Sequence, residues 1–333
     1  MAKHAAIIGD GAMGTLCSML LAHNGYACAM WSAFEEHAAD MTRTGENKRF
    51  LPGFRLPKGL TVSTDAAEAA AGADLVVIAV PSRHLRGVLA RVKDALPPEA
   101  VHVSVVKGIE SGTLLRPSEI VAQVVGRRRL AVLSGPCLSR EVAERLPATV
   151  VAASRDAQAA VLAQAAFATP YFRIYTNDDA AGVELGGALK NVIAIAAGIC
   201  DGLGLGSNAL AALVTRGLVE MTRLGAAMGA RRETFAGLAG LGDLVTTCVS
   251  NLSRNRRVGR EIGRGRHLKD VLREMGRVEA EGVETTRSAA ALAARHNVEM
   301  PITQEVYAVL FEGKPAPDAL ADLMSRSPKK EST

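Results

Sequence analysis

Aromatic side chains are scarce in this chain: seven Phe, four Tyr and one Trp make up 4% of 333 residues. Its core must therefore be filled by aliphatic side chains, and abundant alanine and 32 glycines favour close helix packing. Cysteine is equally thin. Cys17, Cys28, Cys137, Cys200 and Cys248 are scattered, odd in number and without a C-x-x-C pair. That argues against a disulfide framework or a zinc site, so no metal is expected and a reducing, cytoplasmic compartment is. A signal peptide does not fit, because a glycine-rich loop already begins at Gly9. Long apolar runs are lacking too. The one decoy, Gly11 to Trp31, carries His23, Asn24 and Gly25 at its centre and reads as helix, turn, strand.

Charge of one sign does not dominate either. Thirty-nine basic against 34 acidic residues leave +5, too little to argue for nucleic acid, while a basic groove for a small anion fits. Much of the excess lies in Arg127–Arg129, read as solvated surface, and in Arg254–Arg266.

What is present is alternation. Short apolar runs at His4–Ile8, Ala27–Trp31, Leu75–Val80, Val101–Val106, Leu130–Leu133, Thr149–Ala152 and Tyr171–Tyr175 are bounded by Gly, Pro, Asp or Ser, as buried strands are. Helical patterns such as Asp65–Ala71 and Pro81–Ala95 lie between them. The pattern predicts an α/β fold: an N-terminal Rossmann-type, doubly wound parallel sheet. From about Asp178 strand-like runs disappear, and Ala, Leu and Gly recur at helical spacing. The expected organisation is residues 1–180 as a dinucleotide-binding domain, 181–325 as an all-α C-terminal domain and 326–333 as a polar tail. A helix near Gly182 bridges the first two.

The sharpest local signal is A-A-I-I-G-D-G-A-M-G, with Gly9, Gly11 and Gly14 in G-x-G-x-x-G spacing. Such a match is weak alone, but here it follows a strand and opens an apolar helix. Gly9 permits the tight turn, Gly11 lets the backbone approach a pyrophosphate, and Gly14 lets helix pack on strand. The helix start adds free N–H groups and a positive dipole end. The carboxylate that usually reads the adenosine ribose is missing from the second strand's end, which holds Trp31-Ser32-Ala33-Phe34. NADPH is therefore expected to be accepted, and even preferred, with Arg43, Lys48 and Arg49 as candidate cations for a 2′-phosphate; solvated surface charge is their rival reading.

Further along, S-V-V-K-G-I-E puts Lys107 just after a strand, and L-S-G-P-C-L-S-R-E puts Ser134 to Glu141 at the next strand end. In doubly wound sheets the ligand crevice lies at such carboxyl ends. Lys190 sits in the apolar helical stretch G-V-E-L-G-G-A-L-K-N-V, either snorkelling outward or desolvated; desolvation lowers a lysine pKa and suits it to proton transfer. Asp243, in G-L-A-G-L-G-D-L-V-T-T-C, is either a helix N-cap or a costly buried carboxylate with partners. Ser253 to Arg257, S-R-N-R-R, offers a guanidinium fork with Ser and Asn as extra donors for phosphate, although an exposed basic turn looks the same.

Together these blocks resemble the bacterial NAD(P)-dependent glycerol-3-phosphate dehydrogenases. G-D-G-A-M-G at Gly9, F-L-P-G at Phe50, V-V-K-G-I-E at Val105 and L-S-G-P at Leu133 come in the family's order. G-G-A-L-K-N-V-I-A-I at Gly186, D-G-L-G-L-G-S-N-A at Asp201, G-L-G-D-L-V-T-T-C at Gly240, S-R-N-R-R at Ser253, E-G-V-E-T-T at Glu281 and M-P-I-T at Met300 follow. The resemblance covers nearly the whole chain. It implies reversible hydride transfer between sn-glycerol 3-phosphate and dihydroxyacetone phosphate with NADP(H) or NAD(H), mainly toward glycerol 3-phosphate for phospholipid synthesis.

Carried over by motif, Lys190 is the expected general acid/base, Lys107 its partner touching substrate and cofactor, and Asp243 the carboxylate that orients Lys190, with Thr247 in support. Gly135 and Cys137 fall at substrate contacts, and Ser253, Arg254 and Asn255 at the phosphate clamp. Gly9, Gly11, Met13, Gly14, Lys107, Ser139, Arg254 and either Glu279 or Glu281 fall at cofactor contacts, the acid near the adenosine or ribose end. The family commonly has Thr or Ser where this chain has Cys137, and Ala where it has Ser139, so contact at 137 is by thiol or by backbone. Expected partners are the small-molecule substrate and, as one possible assembly, a second copy in a homodimer; nucleic acid and integral membrane insertion are not expected. Two rivals remain: a two-domain dehydrogenase of a 3-hydroxy acid, and a cofactor-sensing protein with a degenerate site.

Overall fold

A computed structural model describes residues 3–276, 280–328 and 330–331. Strands form where Val, Ile and Ala runs meet turn residues. In chain order they are β1 (Lys3–Ile8), β2 (Tyr26–Trp31), β3 (Thr61–Ser63), β4 (Leu75–Ile78), β5 (Val101–Ser104), β6 (Arg129–Ser134), β7 (Ala148–Ala153) and β8 (Phe172–Asn177). They make one eight-stranded sheet in the order β3-β2-β1-β4-β5-β6-β7-β8. The first six strands are parallel in the order of a dinucleotide-binding sheet. The expected parallel arrangement has one reversal: β7 runs antiparallel to β6, and β8 then follows β7 in parallel.

Each central strand is buried on both faces. Ala5, Ile7, Leu75 and Val77 join the core beneath the helices Ala12–His23 and Ala157–Phe167, whereas Ala6, Ile8, Val76 and Ile78 join the opposite core with Leu85, Leu89 and Ile120. The helix expected over Pro81–Ala95 is tightened at both ends, with 3₁₀ turns at Ser82–His84 and Lys93–Ala95 around Leu85–Val92.

After β8 the described chain is helical. The helix Ala180–Gly202 is the axis of this part. Asp179 starts it by accepting from Gly182 N, and the same carboxylate accepts from Arg231 N and the Thr234 hydroxyl. One turn in, buried Glu184 reaches back to the sheet half. It accepts from Arg116 (2.6 Å) and from the backbone N–H and hydroxyl of Ser118 at the start of the helix Pro117–Val124.

Among the described residues this axial helix is the one long and apolar enough to cross a membrane. Here it is enclosed by protein: from Gly182 to Ile199 every residue is buried. The helix Arg254–Gly263 packs on it backbone to backbone. A Cβ at Gly198 would lie 2.0 Å from the Arg256 carbonyl oxygen, and one at Gly259 would lie 1.9 Å from that of Ile195. Glycine is therefore obligatory on both sides of this crossing.

Candidate active site

The glycine loop shows three distinct uses of a missing Cβ. Gly9 has φ +118°, and a Cβ there would lie 2.5 Å from the Ala79 carbonyl oxygen. A Cβ at Gly14 would meet the Gly9 carbonyl oxygen at 2.2 Å, so helix and strand touch there. At Gly11, by contrast, a Cβ would meet nothing within 4 Å. Its bareness leaves open space beside the start of Ala12–His23, where no side chain caps the first turn. Uncapped N–H groups beside an open glycine fit the pyrophosphate of a dinucleotide. Met13 lies at the second position of this helix. It shares a small cavity with Lys107, Gly135 and Cys137, linking the loop to the strand ends of β5 and β6.

Those strand ends meet the helical half at Asp243. The carboxylate is 1% exposed and sits in the first turn of the helix Asp243–Val249, which follows a π-helical turn at Leu238–Gly242. It does not cap its own helix. One oxygen accepts from Lys190 Nζ at 2.5 Å and the other from Lys107 Nζ at 2.6 Å. Lys107 also donates to the Gly135 carbonyl oxygen at 3.0 Å. Lys190 also donates to Thr247 Oγ1 at 2.7 Å, and that hydroxyl passes its own hydrogen to the Asp243 carbonyl. Lys190 is 6% exposed, so it does not snorkel. Lys107 reaches the cluster past Gly187, where a Cβ would lie 3.6 Å from its Cγ and 2.7 Å from Ser134 Oγ.

Two lysines on one carboxylate titrate in opposite directions. Burial is the largest influence on both and favours the neutral amine. At Lys107 the charge and hydrogen bond of Asp243 outweigh it, and the pKa rises above the ordinary lysine value. At Lys190 burial wins, aided by the positive charge of Lys107, and the pKa falls to about 8. A group poised there can give or take a proton near neutral pH. Cys137 is pushed up to about 11, chiefly by burial, and stays a neutral thiol beside the lysines.

The S-R-N segment lies against the same helix. Ser253 caps Arg254–Gly263 by accepting from Arg256 N, and Arg254 is exposed at the first helical position. Asn255 is buried. Its amide donates to the Asn191 side chain at 2.9 Å, and its oxygen accepts from Gly282 N at 3.0 Å. The next basic residues are engaged elsewhere: Arg256 with Asp201, Val249 and Asn251, and Arg266 with Glu261 and Glu274. Glu281 opens the helix Glu281–Arg295, and its charge favours the protonated form of both lysines that pair with Asp243. Glu279, its competitor in the sequence, lies outside the described residues. Ser139 begins the short helix Ser139–Ala143, beyond β6.

One polar residue escaped the sequence reading. Asp10, between the first two loop glycines, accepts from the hydroxyl of Ser32, the residue that follows β2. The visible signal was an acid inside the glycine motif.

Comparison with known proteins agrees along the whole chain. Residues 4–160 match the family described as NAD-dependent glycerol-3-phosphate dehydrogenase N-terminus, and residues 179–321 match its C-terminus. A glycerol-3-phosphate dehydrogenase [NAD(P)+] of Geobacter sp. (strain M21) is 52% identical, with 99% of each chain covered. One from Streptomyces avermitilis is 50% identical over 98% of each. The crystal structure of glycerol-3-phosphate dehydrogenase from Coxiella burnetii superposes with TM-score 0.94 at 40% identity, covering 98% of this chain and 99% of that one. With two lysines on one buried carboxylate beside an open glycine loop, and relatives matching from end to end, the chain belongs to the NAD-dependent glycerol-3-phosphate dehydrogenase family.

Proposed function

We propose that this chain interconverts sn-glycerol 3-phosphate and dihydroxyacetone phosphate with NAD(P)(H), mainly toward glycerol 3-phosphate for phospholipid synthesis. The observation that carries the reading is Asp243 bound to both Lys107 and Lys190 at the meeting of strand ends and axial helix. Residues 1–180 hold the dinucleotide, 181–325 supply the acid and the phosphate seat, and 326–333 form a polar tail.

When bound, the reduced nicotinamide supplies the hydride that reaches C2 of the ketone. Negative charge then grows on the C2 oxygen, and Lys190 Nζ gives that oxygen a proton as the carbonyl π pair becomes an O–H bond. In the reverse direction neutral Lys190 takes the proton back. Asp243 and Thr247 aim the amine, and Lys107 keeps its charge to hold substrate oxygen and the cofactor side. Arg254, with Ser253 and Asn255 at the start of its helix, receives the phosphate. Gly135 and Cys137 form the wall beside Lys107, with contact through the backbone or the neutral thiol. Gly9, Gly11, Met13 and Gly14 seat the pyrophosphate, and Ser139 and Glu281 flank the cofactor.

Five free cysteines support a reducing, cytoplasmic setting. Leu241, Val245 and Val249, exposed on one helical face with Leu252 just beyond, support a homodimer. A steady-state assay with dihydroxyacetone phosphate and either reduced cofactor tests the activity. Turnover of a phosphate-free 3-hydroxy acid in preference to glycerol 3-phosphate would overturn it, as would cofactor binding with no turnover of either substrate.

A further inference from the structure

The second strand ends without a carboxylate, yet the structure supplies one there from another segment. Ser32, fully buried, donates its hydroxyl to Asp10 Oδ2 at 2.5 Å, and Phe34 N donates to the same Ser32 oxygen at 3.1 Å. The loop side of Asp10 is held as well: its backbone carbonyl accepts from Asn47 Nδ2 at 2.7 Å, and Asn47 also donates to Thr15. Asn47 is fully buried, so the Asp10 backbone is tied to both the glycine-loop helix and the segment before Phe50. The Asp10 side chain keeps 13% exposure. It lies next to Gly11, whose α-carbon faces open space.

A dinucleotide with its pyrophosphate at the start of Ala12–His23 lays its adenosine ribose at the carboxyl end of β2. A carboxylate at that place accepts hydrogen bonds from ribose hydroxyls and repels a 2′-phosphate. Two of the three candidate cations on this side have partners within the chain. Arg43 pairs with Asp40, and the Arg49 guanidinium stacks 4.8 Å from the Phe50 ring and 5.9 Å from the exposed Phe34 ring. His37 Nε2 stands 3.9 Å from Asp10 Oδ2 and is fixed edge-on to Phe50.

We propose that Asp10 is the ribose-reading carboxylate of this chain and biases it toward NAD(H) over NADP(H). This rests on the cofactor seat described above, and it reverses the preference expected from the end of β2 alone. The acid comes from the loop after β1 rather than from β2.

Direct binding tests this without turnover. NAD+ and NADP+ are titrated into the whole protein by calorimetry, with fluorescence of Trp31, the only tryptophan and the last residue of β2, as a second signal. The wild type is expected to bind NAD+ about tenfold or more tightly than NADP+, and Asp10→Asn to lower that ratio by about tenfold. Asp10→Ser, which removes charge and bulk together, is expected to do the same or more. A wild type that prefers NADP+, or a ratio unchanged in both folded Asp10 variants, overturns the assignment. Failure of the wild type to bind either dinucleotide overturns the cofactor seat itself, and with it this proposal.

Discussion

Lys107 and Lys190 reach the same carboxylate from two differently built regions. Lys107 stands on the loop after β5, with 15% of its side chain exposed. Lys190 stands mid-helix, walled by the packed backbones of its neighbours. Residue type, counter-ion and nearly equal hydrogen-bond lengths are shared; what differs is the balance of burial against charge. One aspartate thus holds a lysine of raised pKa on one oxygen and a lysine whose pKa falls to about 8 on the other.

The largest expected break in this comparison is Lys190→Ala. It should lower kcat for ketone reduction by about 10²–10⁴-fold, the range for losing a general acid. Cofactor dissociation constants should stay near wild type, since the glycine loop lies in the other half. Steady-state kinetics with a cofactor titration checks both; a folded variant with near-normal kcat would remove Lys190 from the mechanism and leave Lys107 in its place.

Arg254→Ala comes next. Loss of charge-assisted bonds worth about 1.5–3 kcal/mol should raise KM for dihydroxyacetone phosphate by about 10- to 150-fold. An unchanged KM would cancel the phosphate seat.

The wild-type pH profile sharpens the contrast. Ketone reduction needs Lys190 charged, so the rate should be flat at lower pH and fall as pH rises through about 8. Alcohol oxidation needs it neutral and should rise over the same window. Lys107→Met removes the neighbouring positive charge that depresses Lys190, so this limb should move to higher pH while KM rises. A limb that stays in place would show that the two amines are uncoupled.

Thr247→Val should have the smallest effect. It removes a neutral acceptor of the Lys190 ammonium, which shifts the alkaline limb downward and changes neutral-pH kcat by only about 10-fold or less. A KM effect with no movement of the limb would assign Thr247 to substrate instead.

Much of the site was legible because its chemistry sits in local words. Strand-then-lysine, glycine-rich-then-aspartate and S-R-N each name a residue whose neighbours fix its setting. The sheet was legible where apolar runs are buried on both faces, as in β1 and β4. Three-residue β3 escaped, because Thr61–Ser63 is polar, partly exposed and pairs on one side only. The reversal at β7 escaped too: strand direction depends on the intervening path, and Ala148–Ala153 has the same apolar pattern either way. Asp10 escaped because its partner Ser32 is 22 positions away, across a parallel strand pair. The choice between snorkelling and desolvation at Lys190 likewise needed the Asp243 partner, 53 positions downstream.

The glycine crossing at Gly198 and Gly259 has a mechanical consequence. Between Lys190 and Gly198 the axial helix advances about 12 Å, a rigid length. At one end Asn191 grips Asn255; further along the two helices touch through bare backbone, with no side chain to flex. Under the proposed function, the phosphate seat is thus held beside the proton donor by main chain rather than by adjustable side chains. A longer side chain in the cleft would reshape the pocket locally, but only a change in the helix crossing would move the seat as a whole.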